Sequence, residues 1–312
     1  MYHYTKEVIT GVLMPITLRS YTREYEFTRD YNYVFGFLKS LGCNDENPLN
    51  FSWVRWEWCR TNSWFDSEHE YLTGIWEEDK VIVGVTCYET GLGSGFISLK
   101  EGYDHLLEEM FDYAVDNFKN DGKVKIAIPD KSRNLQLIAL KKGFIPTNDR
   151  ETDSILDVSL TNLDYTLPKD FGIISLDDRY DLEQYASVLW FGFNHGNEGP
   201  VPLSEKDLKE REDSLKGPHN DLHLKIAVTN PEGEFVSYAG FWYDEEEDFC
   251  TLEPCATHPD YRRMGLGKAA VYEGIKRCAE KGAKRCVVGS NQDFYFRMGF
   301  APFDMRTYWV KK

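Results

Sequence analysis

An arginine and two glycines in the last third of the chain are spaced as if to approach a charged ligand. Arg262, Gly265 and Gly267 lie in the order R-x-x-G-x-G, between a predicted strand and a predicted helix. Two glycines two residues apart let the backbone come close to a ligand, and a helix start points unpaired N–H groups at it. This arrangement suits a pyrophosphate. It is neither the dinucleotide-binding G-x-G-x-x-G nor a P-loop, because Ala269 follows Lys268 where a P-loop needs a hydroxyl.

Regular elements on both sides of this loop would hold it in place. The apolar segment over residues 249–257 is predicted as a strand that leads into the loop. Apolar residues at helical spacing predict a helix over 268–281. A short apolar strand follows at 285–289, and then a short helix that starts at Asp293 and ends at Gly299. The loop therefore lies between the end of a strand and the N-terminus of a helix.

A second motif follows the first at a fixed distance. It is Phe294-Tyr295-x-x-x-Gly299-Phe300, and its tyrosine lies 30 residues after Gly265. In this order the two motifs resemble the GNAT family of N-acetyltransferases, over roughly residues 222–303. The resemblance implies an α/β (α+β) fold, in which helices flank a mixed twisted sheet and a splayed strand pair binds acyl-CoA. It also implies transfer of an acetyl group from acetyl-CoA to a primary amine of a small molecule.

The resemblance assigns the co-substrate, acetyl-CoA, to the cleft between the two splayed strands. Backbone N–H groups from Arg263 to Lys268 would bind the pyrophosphate at the helix N-terminus. The main chain of Cys255 and Thr257 would flank the pantetheine arm, and Arg262 would add positive charge. The complete set predicted for acetyl-CoA is Cys255, Ala256, Thr257, Arg262, Arg263, Met264, Gly265, Leu266, Gly267, Lys268 and Asn291.

Two side chains match the chemistry of direct acetyl transfer. Tyr295 corresponds to the family tyrosine that protonates the departing thiolate; a phenol, with a reference pKa of about 10, keeps its proton at neutral pH until that step. Glu253 lies mid-strand in an apolar setting, which would raise its pKa toward the working range of a base. Many family members carry a glutamate two residues earlier, where this chain has Thr251. Glu253 is therefore predicted either as the base or as a ligand of the acceptor ammonium.

The acceptor is predicted to lie against a region that shapes the acceptor pocket in the family. Its predicted binding residues are Phe193, Asn194, His195 and Trp242. These aromatic and polar groups fit a polar, partly apolar small molecule. Acetylation of a protein or peptide amine is the first alternative, and a wide acidic groove would favour it. The second alternative is a non-catalytic acyl-CoA-binding sensor or scaffold, against which the catalytic pair argues.

The same pattern of elements occurs twice in the chain. The dipeptide Gly143-Phe144 recurs 156 residues later, and a predicted β-hairpin over 74–85 has a counterpart over 225–240. We therefore predict two tandem GNAT-like domains, over residues 1–162 and 163–312. We further expect a strand over 154–160 to close the first unit and a strand over 171–176 to open the second.

The first copy has lost the residues that carry the chemistry. Asp104, Leu107 and Glu109 stand where the second copy has the arginine and the two glycines of its loop. Bulky side chains would block a close backbone approach, and acidic groups would repel a pyrophosphate. On the Gly-Phe alignment, Ala139 replaces the tyrosine. The first domain is therefore predicted to be degenerate, either structural or a wall of the acceptor pocket.

Composition limits the remaining classes of function. The chain of 312 residues has a net charge of −16, which argues against nucleic acid and anionic membranes because both are bound through clustered lysine and arginine. The same charge would attract a cationic acceptor. Seven scattered cysteines without zinc-like spacing predict reduced thiols and no metal site. With no signal peptide or membrane segment in view, a cytoplasmic protein is predicted.

Overall fold

A computed structural model describes residues 15–24, 27, 29–42 and 50–312. Within them the chain forms twelve strands and eight α-helices. The strands are β1 (Thr17–Ser20), β2 (Gly74–Glu78), β3 (Val81–Cys87), β4 (Ser94–Leu99), β5 (Lys125–Pro129), β6 (Phe144–Asp157), β7 (Gly172–Ser175), β8 (Lys225–Thr229), β9 (Phe235–Trp242), β10 (Phe249–Thr257), β11 (Arg285–Val288) and β12 (Ala301–Lys311).

The helices alternate with strands in both halves of the chain. They are α1 (Arg29–Ser40), α2 (Trp53–Thr61), α3 (Leu107–Asn117), α4 (Arg133–Lys141), α5 (Leu182–Gly192), α6 (Glu205–Asp213), α7 (Leu266–Glu280) and α8 (Asp293–Phe296). Single 3-10 turns occupy Glu70–Leu72, Asp104–Leu106, His195–Asn197, Leu222–Leu224 and Pro259–Tyr261. The two predicted hairpins are confirmed as β2–β3 and β8–β9.

The described strands join one mixed sheet in the order β1-β2-β3-β4-β5-β12-β6-β11-β10-β9-β8-β7. Neighbouring strands run antiparallel except β4 beside β5 and β10 beside β11. The parallel strands β10 and β11 pair only from Phe249 to Thr251, after which they separate. Pairing of β4 with β5 is limited to Ser94 and Gly95. Each half therefore contains one parallel pair that splays, as the sequence predicts for the second half.

The two halves exchange their last strands. β6 comes from the first half but pairs with β11 of the second, and β12 comes from the second half but pairs with β5 of the first. β6 and β12 also pair with each other at the centre of the sheet, antiparallel from Ala301↔Ile155 to Lys311↔Phe144. Backbone hydrogen bonds therefore run without a break from one half of the protein to the other.

This exchange corrects one expectation from the sequence. The strand expected over 154–160 spans Phe144–Asp157 instead, and it lies between two strands of the second half. Alternating side chains reveal that a segment is extended but not which strand it pairs with, so the neighbour was not predictable. The strand expected over 171–176 is confirmed as β7. Residues 158–171 contain no helix or strand, and the domain boundary at 162 stays a prediction.

A buried carboxylate ties the two halves together on one face of the sheet. Glu57 of α2 has no solvent exposure. It accepts hydrogen bonds from the Tyr31 hydroxyl at 2.7 Å and from the backbone N–H of His219 at 2.9 Å, and it contacts the His219 Nδ1 at 2.6 Å. The His219 ring also stacks on Phe35, with ring centroids 3.7 Å apart. Because a buried carboxylate is costly without hydrogen-bond donors, this contact fixes the loop before β8 against the first half.

Two further observations concern membranes and cysteines. Among the described residues, no helix combines the length and the apolar character needed to span a bilayer. The six cysteines in the described ranges are free thiols. Cys43 lies outside the described residues.

Candidate active site

The loop before α7 is shaped by two residues in the left-handed backbone region. Arg263 has a φ of 65° and Gly265 a φ of 85°, and the first backbone bond of the helix runs from the Ala269 N–H to the Gly265 carbonyl. The N–H groups of residues 263–268 donate to no other described residue. These donors and the positive end of the helix dipole make a site for an anion.

Two glycines let the surrounding elements come close to this loop. A Cβ on Gly267 would lie 3.0 Å from the Thr257 Oγ1 and 3.1 Å from the Phe294 ring, so a side chain there would narrow the space in front of the helix. A Cβ on Gly192 would lie 2.6 Å from that of Ala256, which shows how closely the end of α5 approaches β10. A side chain at Gly192 would therefore clash with β10, and one at Gly267 would crowd Thr257 and Phe294.

Arg262 has a structural role that the sequence did not reveal. Its Nε donates to the Thr257 carbonyl at 3.1 Å. Its Nη2 donates to the Gly192 carbonyl at 2.9 Å and to the Asn194 Oδ1 at 2.8 Å. The guanidinium therefore joins the end of β10 to the end of α5, so that it holds two walls of the site while it adds positive charge.

An open cleft of about 780 Å³ lies between the N-terminus of α7, the end of β10 and α8. We call it the α7 cleft. Two residues predicted for acetyl-CoA are absent from its lining: Met264 is 41% exposed on the outside of the loop, and Asn291 lines a different cavity. Those that do line it are Cys255, Ala256, Thr257, Arg262, Arg263, Gly265, Leu266, Gly267, Lys268 and Tyr295, joined by Phe193 and Asn194.

Tyr295 provides a buried hydroxyl at the inner end of the α7 cleft. Its side chain is only 7% exposed, and its ring packs edge-on against Phe300, with centroids 5.7 Å apart. Burial raises the pKa of Tyr295 well above its usual value, and the nearby Cys255 and Glu253 raise it further. Burial likewise raises the pKa of the Cys255 thiol, to about 12. Tyr295 is therefore a neutral phenol that carries its proton at physiological pH.

Glu253 lies at an irregularity of β10, two residues before Cys255. The pairing with β9 shifts register between Leu252 and Cys255, and the Glu253–Pro254 peptide bond is cis. The Trp242 Nε1 donates to the Glu253 carbonyl at 2.9 Å, which fixes the backbone there. Burial raises the pKa of the Glu253 carboxyl to about 7, although Arg55 acts in the opposite direction. A carboxyl with this pKa can accept a proton near neutral pH.

A pocket of about 210 Å³ lies on the other side of Glu253, between the two halves of the chain. We call it the inter-half pocket. Three of the four residues predicted for the acceptor line it, while Asn194 lies in the α7 cleft. The first half contributes Trp58, Asn62 and Trp64. The lining from the second half includes Phe193, His195, Arg211, Asn220, Lys225, Tyr238, Trp242 and Glu253.

A third cavity, of about 460 Å³, opens where β10 and β11 separate. Two arginines and three carboxylates form a network on its wall. Arg55 donates to Glu151 at 2.7 and 3.1 Å and pairs with Glu89, while Arg306 donates to Glu151 at 2.9 Å and pairs with Asp153. Burial alone would raise the pKa of Glu151, but Arg55 and then Arg306 lower it to about 2. We call this space the charged cavity; Asn291 and Glu253 also line it.

Lys225 is a site residue that the sequence analysis missed. It is only 1% exposed, and its Nζ donates to the Phe241 carbonyl at 2.9 Å and lies 4.0 Å from the centre of the Trp242 ring. Burial lowers the pKa of Lys225 to about 7. The signal available in the sequence was a lysine at the head of the otherwise apolar segment Lys-Ile-Ala-Val-Thr.

The equivalent place in the first half is closed by a side chain. The Asn50 Nδ2 donates to the Ile97 carbonyl of β4 at 3.1 Å and to the Ala127 carbonyl of β5 at 3.2 Å. One amide therefore bridges the two strands that splay in this half. Leu107 starts α3 where the second half has Gly265, and its side chain is buried. Among the described residues, the Asn50 amide thus lies where a ligand would have to enter between these strands, and Leu107 replaces the glycine that opens the loop in the second half.

Comparison with known proteins agrees with this geometry. Residues 184–300 match the model of the Acetyltransferase (GNAT) family. The second half of this chain belongs to the GNAT family. Over 95 residues it is 30% identical to an uncharacterized N-acetyltransferase, YhbS, from Escherichia coli strain K12. That match covers 28% of this chain and 57% of the relative, so the chain spans little more than half the length of the curated protein it matches.

Solved structures resemble the chain over nearly its whole length. A GNAT protein from Sphaerobacter thermophilus matches with a TM-score of 0.57 at 11% identity, covering 96% of each chain. A tandem GNAT protein from the clavulanic acid biosynthesis pathway matches with the same TM-score of 0.57 at 10% identity, covering 95% of this chain and 98% of that one. Likeness at such low identity concerns the fold. The expected tandem GNAT fold is thereby confirmed.

Proposed function

We propose that this protein transfers an acetyl group from acetyl-CoA to a primary amine of a small molecule, using one site in its second half. The observation that carries the proposal is the position of Glu253 and Cys255 on β10. Glu253, with its raised pKa, lines both the inter-half pocket and the charged cavity, while Cys255 lies against Tyr295 in the α7 cleft. The proton acceptor therefore lies on β10, two residues before the cysteine that contacts the proton donor Tyr295.

The α7 cleft has the chemistry that the acyl-CoA of this family requires. The free N–H groups of residues 263–268 would hold the pyrophosphate, and the glycine at 267 keeps the space before them open. The main chain of β10 at Cys255 and Thr257 would border the pantetheine arm. Parallel pairing of β10 with β11 ends at Thr251, so the backbone of β10 beyond that point is available to donate an N–H to the acetyl oxygen.

The reaction requires two proton movements, which this site can provide. Glu253 takes one proton from the acceptor ammonium, whose reference pKa is near 10.4 if it resembles lysine. The freed amine nitrogen forms a bond to the acetyl carbon while the carbon–sulfur bond breaks. Tyr295 donates its proton to the departing sulfur, and the second proton of the amine restores the phenol. The products are the acetylated amine, the free thiol and one proton, which Glu253 releases to solvent to become a base again.

Residues 1–162 form the proposed degenerate domain, and residues 163–312 the catalytic one. The amide of Asn50 occupies the splay between β4 and β5, and acidic and bulky groups replace the loop glycines. The first half has a different role, because it completes the wall of the inter-half pocket with Trp58, Asn62 and Trp64. An aromatic pocket of only about 210 Å³ favours a small acceptor over a peptide. The six free thiols agree with the proposed cytoplasmic location.

A calorimetric titration of the protein with acetyl-CoA tests this proposal. We expect one site per chain, abolished by Gly265→Glu, because a charged side chain would stand among the anion-binding N–H groups. Gly102→Glu is the matched control: Gly102 has a φ of 88° and, like Gly265, open space around its Cβ. Both substitutions therefore impose the same backbone cost and charge change. Two sites per chain, or loss of binding in the Gly102 variant, would contradict the proposal.

A further inference from the structure

We infer that the first half controls the charge of the proposed base from across the charged cavity: Arg55 stabilises the carboxylate of Glu253, and Glu89 opposes it. Both are positioning residues, because they act through Glu253 rather than on the substrate. The inference rests on the proposed function, in which Glu253 is the base. It gives the half of the chain that lacks an acyl-CoA loop of its own a part in the reaction.

The three side chains line one space although they come from distant parts of the chain. Arg55 lies on α2 and Glu89 follows β3, both in the first half, whereas Glu253 lies on β10 of the second. All three line the charged cavity. The Arg55 and Glu89 side chains are 17% and 21% exposed, and Glu253 is half-buried. Their charges therefore meet in a partly enclosed space, where water screens them less than at an open surface.

Contacts on several sides hold the Arg55 guanidinium in place. It donates to Glu151 at 2.7 and 3.1 Å and pairs with Glu89. Its central carbon lies 4.7 Å from the centre of the Phe96 ring and 5.6 Å from that of Phe51. An arginine side chain stays protonated over the whole working range of pH. A positive charge that is both permanent and fixed can act on Glu253 throughout its titration.

Arg55 and Glu89 act on Glu253 in opposite directions. Burial is the largest influence and raises the pKa of the Glu253 carboxyl to about 7. Arg55 comes next and lowers this pKa, Glu89 raises it, and Lys225 of the second half lowers it. Removal of either member of the Arg55–Glu89 ion pair leaves the effect of the other uncompensated. Opposite shifts therefore distinguish an electrostatic role from structural damage, which would not depend on the sign of the lost charge.

Other charged and titratable groups also lie beside Glu253. In the charged cavity they are Arg150, Glu151, Asp153 and Arg306, and in the inter-half pocket they are Arg211 and Lys225. Arg306 pairs with both acidic residues, and Arg150 is exposed to solvent. Raised pKa values keep the nearby Tyr185, Tyr238, Cys255 and Tyr295 neutral around pH 7. All these groups are retained in the variants that test the inference, so they are common to every titration.

The test is a carbon-13 NMR titration of the full chain, labelled at the glutamate side-chain carboxyl and without acetyl-CoA. The Glu253 signal is the one that Glu253→Gln removes. We expect its midpoint to rise by about one pH unit in Arg55→Gln and to fall, by less, in Glu89→Gln. At pH 7 the first shift would reduce the ionised fraction of Glu253 from about one half to about one tenth. Arg55→Lys keeps the charge and should leave the midpoint close to that of the wild type.

Arg19 and Glu77 form the matched control pair. Like Arg55, Arg19 of the first half pairs with two carboxylates, those of Asp30 and Glu77, at 2.7 and 2.8 Å. The described lining of the charged cavity includes none of these three residues. Arg19→Gln and Glu77→Gln therefore remove the same charges from a comparable ion pair. Both should leave the Glu253 midpoint unchanged.

The outcomes separate this inference from the proposed function. Shifts of the same sign in Arg55→Gln and Glu89→Gln, no shift in either, or equal shifts in the control variants would overturn the inference. If Arg55→Gln does not fold, a lower midpoint in Glu89→Gln supports the inference and an unchanged one overturns it. Because the titration contains no acetyl-CoA, opposite shifts in a protein that fails to bind acetyl-CoA would support the control of Glu253 and overturn only the proposed reaction.

Discussion

Replacing Glu253 with glutamine removes a proton acceptor and keeps the size of the side chain. If Glu253 is the base, turnover of the variant at pH 8 should fall by about 10²- to 10⁴-fold, the usual contribution of general base catalysis. The decisive feature is how the wild-type rate depends on pH. With a pKa of about 7, about one tenth of Glu253 is ionised at pH 6 and about nine tenths at pH 8. The wild-type rate should therefore rise about tenfold over this interval.

An ordinary glutamate would behave differently. From the reference pKa of 4.5, ionisation would be almost complete at pH 6, and the rate would be flat above it. The acceptor amine also titrates, so kcat is measured for wild type and variant with the same acceptor, and their ratio is taken at each pH. The titration of the acceptor cancels in this ratio. A ratio that does not change between pH 6 and 8 would refute the assignment of the base.

The same substitution carries an expectation about stability. The folded state holds the Glu253 proton more tightly than the unfolded chain, so the unfolded chain ionises first as the pH rises above 4.5. Stability is therefore lost as the pH rises to about 7, by roughly 3 kcal/mol at most for this shift. Glu253→Gln should unfold at a higher urea concentration than wild type at pH 8, with a smaller difference at pH 5. Glu232→Gln, at an exposed hairpin turn, is the control and should show neither effect.

Two other substitutions test the proton donor and the contact between the halves. Tyr295→Phe should lower kcat by about 100-fold, because the proton donor is lost. Acetyl-CoA affinity should change little, because the packing of the ring remains. Unchanged turnover from pH 6 to 9 would remove Tyr295 from the mechanism. Glu57→Gln should lower the free energy of unfolding by about 1–3 kcal/mol, because an amide cannot accept all the donors that meet at the carboxylate. Urea unfolding measures this loss, and a variant as stable as wild type would show that the His219 contact contributes nothing.

Features that depend on local backbone geometry could be predicted from the sequence. The glycine at 265 adopts the left-handed conformation in front of a helix, and Tyr295 lies on a short helix beside it, as the two motifs indicate. The strands at 249–257 and 285–288 match the predicted bounds within a residue, and they lie side by side. Each of these features is specified by residues close together in the chain, so a pattern of spacing is sufficient to reveal it.

Features that depend on distant packing could not be predicted. Asn220 and Lys225 belong to the inter-half pocket only because α2 of the first half packs against their segment, and no periodic pattern marks them. Asn291 was expected beside the co-substrate. After Val288, however, the chain passes the gap between β10 and β11, and Asn291 lines the charged cavity instead. Trp53 and Trp56 are buried, whereas Trp58 of the same helix lines two cavities.

The exchange of β6 and β12 has a consequence for the order in which the chain can fold during synthesis. β5 ends at Pro129, and its partner β12 begins only at Ala301. Domains commonly fold as units while they emerge from the ribosome, but the sheet edge at β5 stays unpaired until β12 has been made. An open strand edge is a template for pairing with other chains. The nascent protein is thus most vulnerable to aggregation late in translation, and its last strand protects the half that was made first.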